Sequence, residues 1–174
     1  GVEVTPSGGV HMTAAGYECG TGSTQCTGSI KISVWSSTSL GTSSRVTSFG
    51  QTLVDTVLTG PEYMTHALSV IASDDTGSLV LMYTGTRKQG ANNGLWGCRS
   101  SDDGHTWTSA ITLEADSGAV NVAYPVIVGA FPGRFYSIFM TQSTTWAPFQ
   151  VWYSFSTDSG ATWSSKKLIS RTND

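Results

Sequence analysis

The chain has 174 residues, of which 12% are charged, 39% hydrophobic and 10% aromatic, with 20 glycines and a formal net charge of −3. That balance offers no basic field to a nucleic acid, and no run approaches the roughly 18 to 20 consecutive apolar residues of a membrane span. Length and apolar content exclude both a stapled mini-domain and a disordered tail, leaving one packed, turn-rich, all-β domain.

In chain order, GVEVT (residues 1–5) alternates like a strand, PSGG makes a turn, and VHMTAA (10–15) gives a second strand. A Gly/Thr/Ser loop follows, in which Cys19 and Cys26 flank GTGSTQ; two thiols so close across a flexible loop are read as a disulfide, the alternative being two neighbouring free thiols. SIKISVWSS (29–37) and VTSFGQTLV (46–54) complete four strands. The opening Gly1 in place of Met marks a processed product or an excerpt.

The second unit runs ALSVIA, GSLVLMYTG, LWGCRS and SAITL, and the third runs YPVIVGA, GRFYSIFMT, VWYSFS and SSKKLIS, each with turn formers between the strands. Cys98 falls within a strand and reads as a buried thiol. No cysteine and histidine spacing resembles a zinc site, and neither a metal nor a cofactor is expected.

The third strand of each of these two units runs into the pattern Ser-x-Asp-x-Gly-x-Thr-Trp. It is carried by Ser100, Asp102, Gly104 and Trp107, and again by Ser156, Asp158, Gly160 and Trp163, 56 residues later (156 − 100). That offset suits one four-stranded blade. In the first unit only Ser and Gly survive at this register, with Ser39 in place of the Asp and Ser44 in place of the Trp. The residue types suit a hairpin: a carboxylate to hold backbone N–H groups, a glycine for positive φ, and an aromatic to plug the turn into the blade. Recurrence at each repeat is what folding requires, so Asp102 and Asp158 are read as structural rather than catalytic.

The motif and its spacing resemble the Asp-box (BNR) repeats of sialidases and related β-propellers. The resemblance implies three four-stranded antiparallel blades, at about 1–58, 66–114 and 122–170, forming half of a six-bladed ring. In such a meander the boxes join strands three and four and lie on one side. The loops between strands two and three, and the connections between blades, lie on the other, where propellers bind ligands.

The ligand-binding candidates on that side are Glu62, Tyr63, His66, Arg87, Asn92, Tyr124 and Trp146, with Tyr17, Glu18, Lys88, Asn93, Glu114, Asp116 and Asn121 nearby. Carboxylates, amides, a guanidinium and aromatics suit a glycan. Sialidases, by the same resemblance, use three arginines, a Tyr paired with a Glu, and an Asp. Of the five arginines here only Arg87 falls on this side, so Glu62, Tyr63 and Arg87 supply part of such a site at most. The leading reading is an extracellular carbohydrate-binding module, non-catalytic by itself. The runner-up is a fragment of an exo-glycosidase, and a structural module of a virion or surface assembly is third. Three blades leave two bare sheet faces, so the chain is expected to form a homodimer or belong to a larger propeller or assembly.

Overall fold

A computed structural model describes residues 1–17, 29–37, 50–58, 68–87, 93–115, 121–143 and 147–170. Every regular element among them is a strand. The first sheet contains β1 (Val2–Val4), β2 (Val10–Tyr17), β3 (Ser29–Ser37) and β4 (Gly50–Leu58). The second contains β5 (Ser69–Ser73), β6 (Leu79–Gly85), β7 (Gly94–Ser100) and β8 (Ile111–Glu114). The third contains β9 (Asn121–Gly129), β10 (Phe135–Gln142), β11 (Gln150–Ser156) and β12 (Lys167–Leu168). Each sheet is an antiparallel meander in sequence order. The all-β, three-bladed architecture expected from the repeat is therefore present.

The pleat sends alternate residues to opposite faces, and the three sheets use this to stack. Ile30, Ile32 and Val34 of β3 pack on Leu79, Leu81, Tyr83 and Cys98 of the second sheet. The other face of that sheet, with Val80, Met82 and Leu95, packs on Phe135 and Phe139 of β10. The inner strands sit close as well. Ser73 on β5 donates through both its amide and its hydroxyl to Glu3 Oε1 on β1, at 3.1 and 2.6 Å. Gly129 on β9 approaches Ser73 so closely that a Cβ there would lie 1.8 Å from the Ser73 carbonyl oxygen. Only glycine fits that crossing.

Two strand boundaries differ from expectation. The fourth strand of the first unit runs over Gly50–Leu58, four residues past the expected end at 54, while 46–49 lie outside the described residues. Pairing with β3 carries the strand on to Leu58, opposite Ser29, and Val54 packs against the apolar core between the sheets. The first strand of the third unit starts at Asn121, three residues before the YPVIVGA run, so Asn121 and Tyr124 belong to a strand and not to a connection. Pro125 suggests a strand start because it lacks an N–H. The strand instead passes through it by a bulge: the register shifts between Ile138 and Met140 of β10, and Tyr124 takes φ 51°. A bulge removes the ladder hydrogen bond that proline cannot make.

Candidate functional site

The two box hairpins repeat in detail. Ser100 and Ser156 are buried, and each hydroxyl accepts the amide of the box glycine (Gly104 or Gly160) at 2.9 Å while donating to the box carboxylate, at 2.7 Å to Asp102 and 2.8 Å to Asp158. Each carboxylate accepts the amide and hydroxyl of the box threonine, Thr106 or Thr162. The chain turns back through two left-handed residues in a row, Asp103 with Gly104 and Ser159 with Gly160. The Thr106 hydroxyl and amide, helped by Ser100, hold the Asp102 carboxyl down at about 2. Burial opposes the charge on Asp158, but Thr162 and Ser156 outweigh it and its carboxyl also lies below the ordinary range. Trp107 donates its indole N–H to the Gly104 carbonyl at 3.1 Å, whereas the Trp163 indole N–H is buried without a partner.

On the box side His11 joins the first two sheets. Its ring is fully buried, with Nδ1 2.9 Å from Ser36 Oγ and Nε2 3.0 Å from Asp103 Oδ1. A cleft of about 220 Å³ lies between the hairpins, lined by Ser78, Arg99, Ser100, Thr106, Trp107 and Ser159 among others. Among the described residues, neither Arg87 nor Tyr124 lines it, and its Ser100, Thr106 and Trp107 are engaged in the hairpin itself.

The loop side carries a different chemistry. Arg87, just beyond β6, lies with its guanidinium carbon 4.5 Å from the Trp96 ring centre and pairs with Asp55 of the first sheet. The Tyr83 hydroxyl also donates to Asp55 and lies 3.6 Å from Cys98 Sγ. Burial, with Cys98 and Asp55 adding to it, raises the Tyr83 phenol far above its ordinary range. Burial also pushes the Cys98 thiol up to about 11. Neither group is an anion near neutral pH, so Asp55 and Arg87 supply the charges. Of the Arg87 side-chain surface 42% stays open, against 19% for Asp55.

The same arrangement recurs one sheet later. Glu114 of β8 accepts from Lys166 at 2.7 Å, and Lys166 Nζ lies 4.6 Å from the ring centre of Trp152. Trp96 anchors its indole N–H on the Gly85 carbonyl at 2.9 Å, and Trp152 anchors its own on the Thr141 hydroxyl at 2.8 Å.

Among the predicted ligand residues, Arg87 takes part in this constellation. Tyr124 does not: it lies 55% exposed on the outward face of the third sheet, edge to face with Phe149 at 6.2 Å. Asn93 is buried, its amide reaching the Asn121 side-chain carbonyl at 3.3 Å. Glu62, Tyr63, His66, Asn92 and Trp146, and the cysteines Cys19 and Cys26, lie outside the described residues. Cys98 is a free, buried thiol. Asp55, Trp96 and Lys166 were not singled out from the sequence; the 56-residue spacing of Trp96 and Trp152 was the available signal. Among the described residues no cluster of three histidine, cysteine or acidic side chains suits a metal, and no helix is long and apolar enough to cross a membrane.

No family model matches the sequence, and no curated protein matches it. Solved structures do. An α-L-arabinofuranosidase of Fusarium graminearum, in complex with an iminosugar inhibitor, matches at TM-score 0.56 and 14% identity, over 93% of this chain and 45% of that one. A complex of the GH93 α-L-arabinofuranosidase of the same fungus with arabinobiose matches at TM-score 0.53 and 14% identity, over 87% and 42%. At that identity the likeness establishes the fold: three blades of a β-propeller, a fold that these glycoside hydrolases share. The chain spans less than half the length of those enzymes.

Proposed function

We propose that the chain is a carbohydrate-binding propeller module of the Asp-box, sialidase-like kind, acting outside the cytoplasm and non-catalytic by itself. The observation that carries this reading is the Arg87 guanidinium, held over the Trp96 ring and beside Asp55 with 42% of its side chain open on the loop side. A fixed planar donor with an adjacent carboxylate acceptor suits the alternating hydroxyls of a sugar, or a sugar carboxylate. The fold likeness to an arabinofuranosidase solved with arabinobiose supports the same class of ligand.

A second reading, a fragment of an exo-glycosidase whose remaining catalytic residues lie elsewhere, is favoured by the 45% span of an enzyme chain. Titration of the chain with arabinobiose and with sialyllactose, followed by tryptophan fluorescence, tests both. The expected result is saturable binding of at least one sugar, lost in Arg87→Ala, with no release of monosaccharide. Hydrolysis would favour the enzyme fragment, and absence of binding to both sugars would remove Arg87 as a sugar contact.

A further inference from the structure

On the box side, the two seams between the three sheets present equivalent positions and differ in their charge. Val10 pairs with Ser37 and Leu79 with Ser100, each serine opening a box register. One residue away, Gly9 therefore corresponds to Ser78, His11 to Val80 and Ser36 to Arg99. Asp103 and Ser159 correspond as well, each three residues past its box serine and left-handed, at φ 57° and 55°.

At the seam between the first and second sheets, the Asp103 carboxylate fills the space. Its Oδ1 lies 3.0 Å from His11 Nε2 and accepts the Thr5 hydroxyl at 3.3 Å. Both of its oxygens sit so near Gly9 that a Cβ there would lie 2.9 Å from each. An imidazole and a hydroxyl on one sheet thus receive a carboxylate from the next.

At the seam between the second and third sheets Ser159 stands where Asp103 would, no carboxylate is supplied, and the cleft of about 220 Å³ opens. A cation is present, because the exposed Arg99 replaces Ser36. Among the described residues its guanidinium has no ion pair or hydrogen bond, and no acidic side chain lines the cleft. Asp102 is bonded to Ser100 and Thr106 and takes up their hydroxyl protons. The Ser101 and Ser159 hydroxyls, which also line the cleft, have no partner among the described residues. Thr108 accepts the Arg99 amide at 3.2 Å through a hydroxyl that keeps its own proton to donate. One seam holds a carboxylate; the other holds donors without one.

We propose that this cleft binds the carboxylate group of a small ligand, which takes the place that the Asp103 side chain holds at the other seam. A guanidinium offers two parallel N–H groups that match the two oxygens of a carboxylate. The volume falls below the roughly 300 to 1,000 Å³ of pockets that enclose drug-sized molecules. It suits one acidic group with little attached, from a free carboxylic acid or a monosaccharide acid. The site lies apart from Arg87 and does not depend on the ligand proposed for the loop side.

Titration of the whole chain with acetate, glucuronate, glucose and sulfate, followed by NMR through the Thr108 and Ser159 amide shifts, tests it. Saturable shifts are expected at millimolar acetate and glucuronate and not with glucose, and they should weaken at high salt because Arg99 is exposed. Tighter binding of glucuronate would make a sugar acid the source, and equal binding a free acid. Arg99→Gln should weaken binding by about tenfold or more, the loss of a charge-assisted pair. Ser159→Asp should abolish it by supplying the carboxylate from the chain itself, in a left-handed backbone that Asp103 already adopts. Arg87→Ala should leave it unchanged. Absence of shifts with both acids, binding that survives Arg99→Gln and Ser159→Asp, or equal binding of glucose or sulfate would each overturn the assignment.

Discussion

Asp55 and Glu114 hold the same place in successive sheets: Asp55 pairs with Ile32, Glu114 pairs with Leu95, and in both cases the register shifts at the next residue of the third strand. The bulge leaves Val54 and Leu113 as the extra residues, both packed against the apolar layers between sheets. A bulge bends its strand and re-aims the following side chain. Each carboxylate thereby reaches a cation that lies over a tryptophan of the next sheet.

These two ties should couple the sheets measurably. A double-mutant cycle with Glu114→Gln and Lys166→Met is expected to return a coupling of about 0.5 to 1 kcal/mol, reduced by salt because both groups are partly exposed. Chemical denaturation at low and high ionic strength measures it. A coupling indistinguishable from zero at low salt would mean that Trp152 alone positions Lys166.

In the boxes the serine should matter more than the aspartate. Ser156 is 2% exposed and satisfies the buried Gly160 amide, whereas the Thr162 donors held by Asp158 are open to water. Ser156→Ala should lower stability by about 1 to 3 kcal/mol, the cost of an unsatisfied buried donor, and Asp158→Ala by about 1 kcal/mol or less. Equal losses, read from denaturation midpoints, would contradict this order. The carboxyl of Asp102 is depressed from its ordinary 3.8 to about 2, so its contribution is fully present above 3.8 and fades as pH falls through about 2.

Glycine substitutions separate backbone strain from crowding. Gly77 and Gly160 share a left-handed backbone, φ 84° and 81°, but a Cβ on Gly77 meets open space while one on Gly160 strikes Val80. Gly77→Ala should cost about 1 to 2 kcal/mol, the left-handed penalty alone. Gly160→Ala should cost clearly more, and Val80→Ala in the same chain should recover part of the difference. Thermal melts of the three variants decide.

The hairpins were legible in the sequence because turn chemistry is local: a serine, an aspartate, a glycine and a tryptophan at fixed offsets carry their own geometry. The sheets were legible because alternation and turn formers repeat. The pairing of Asp55 with Arg87 was not, since it joins residues of different blades, and the first unit is out of step with the others. Ser37 precedes Ser100 by 63 residues (100 − 37), not 56. Placing the fourth strand at 46–54 left Asp55 just past its end. The bulge at Tyr124 was hidden for another reason: a positive φ ahead of a proline leaves no mark in the sequence, and only the neighbouring strand reveals it.

The burial of Cys98 between the first two sheets makes it a clock for their separation. Its thiol is 3% exposed and raised to about 11, so an alkylating reagent meets almost no thiolate until that seam opens. Labelling therefore reports the opening rate of one seam, or its opening equilibrium when reclosure is fast. A sugar that bridges Arg87 and Asp55 spans the same seam and would slow the reaction. Ligand occupancy could then be followed through a sulfur atom that the ligand never touches.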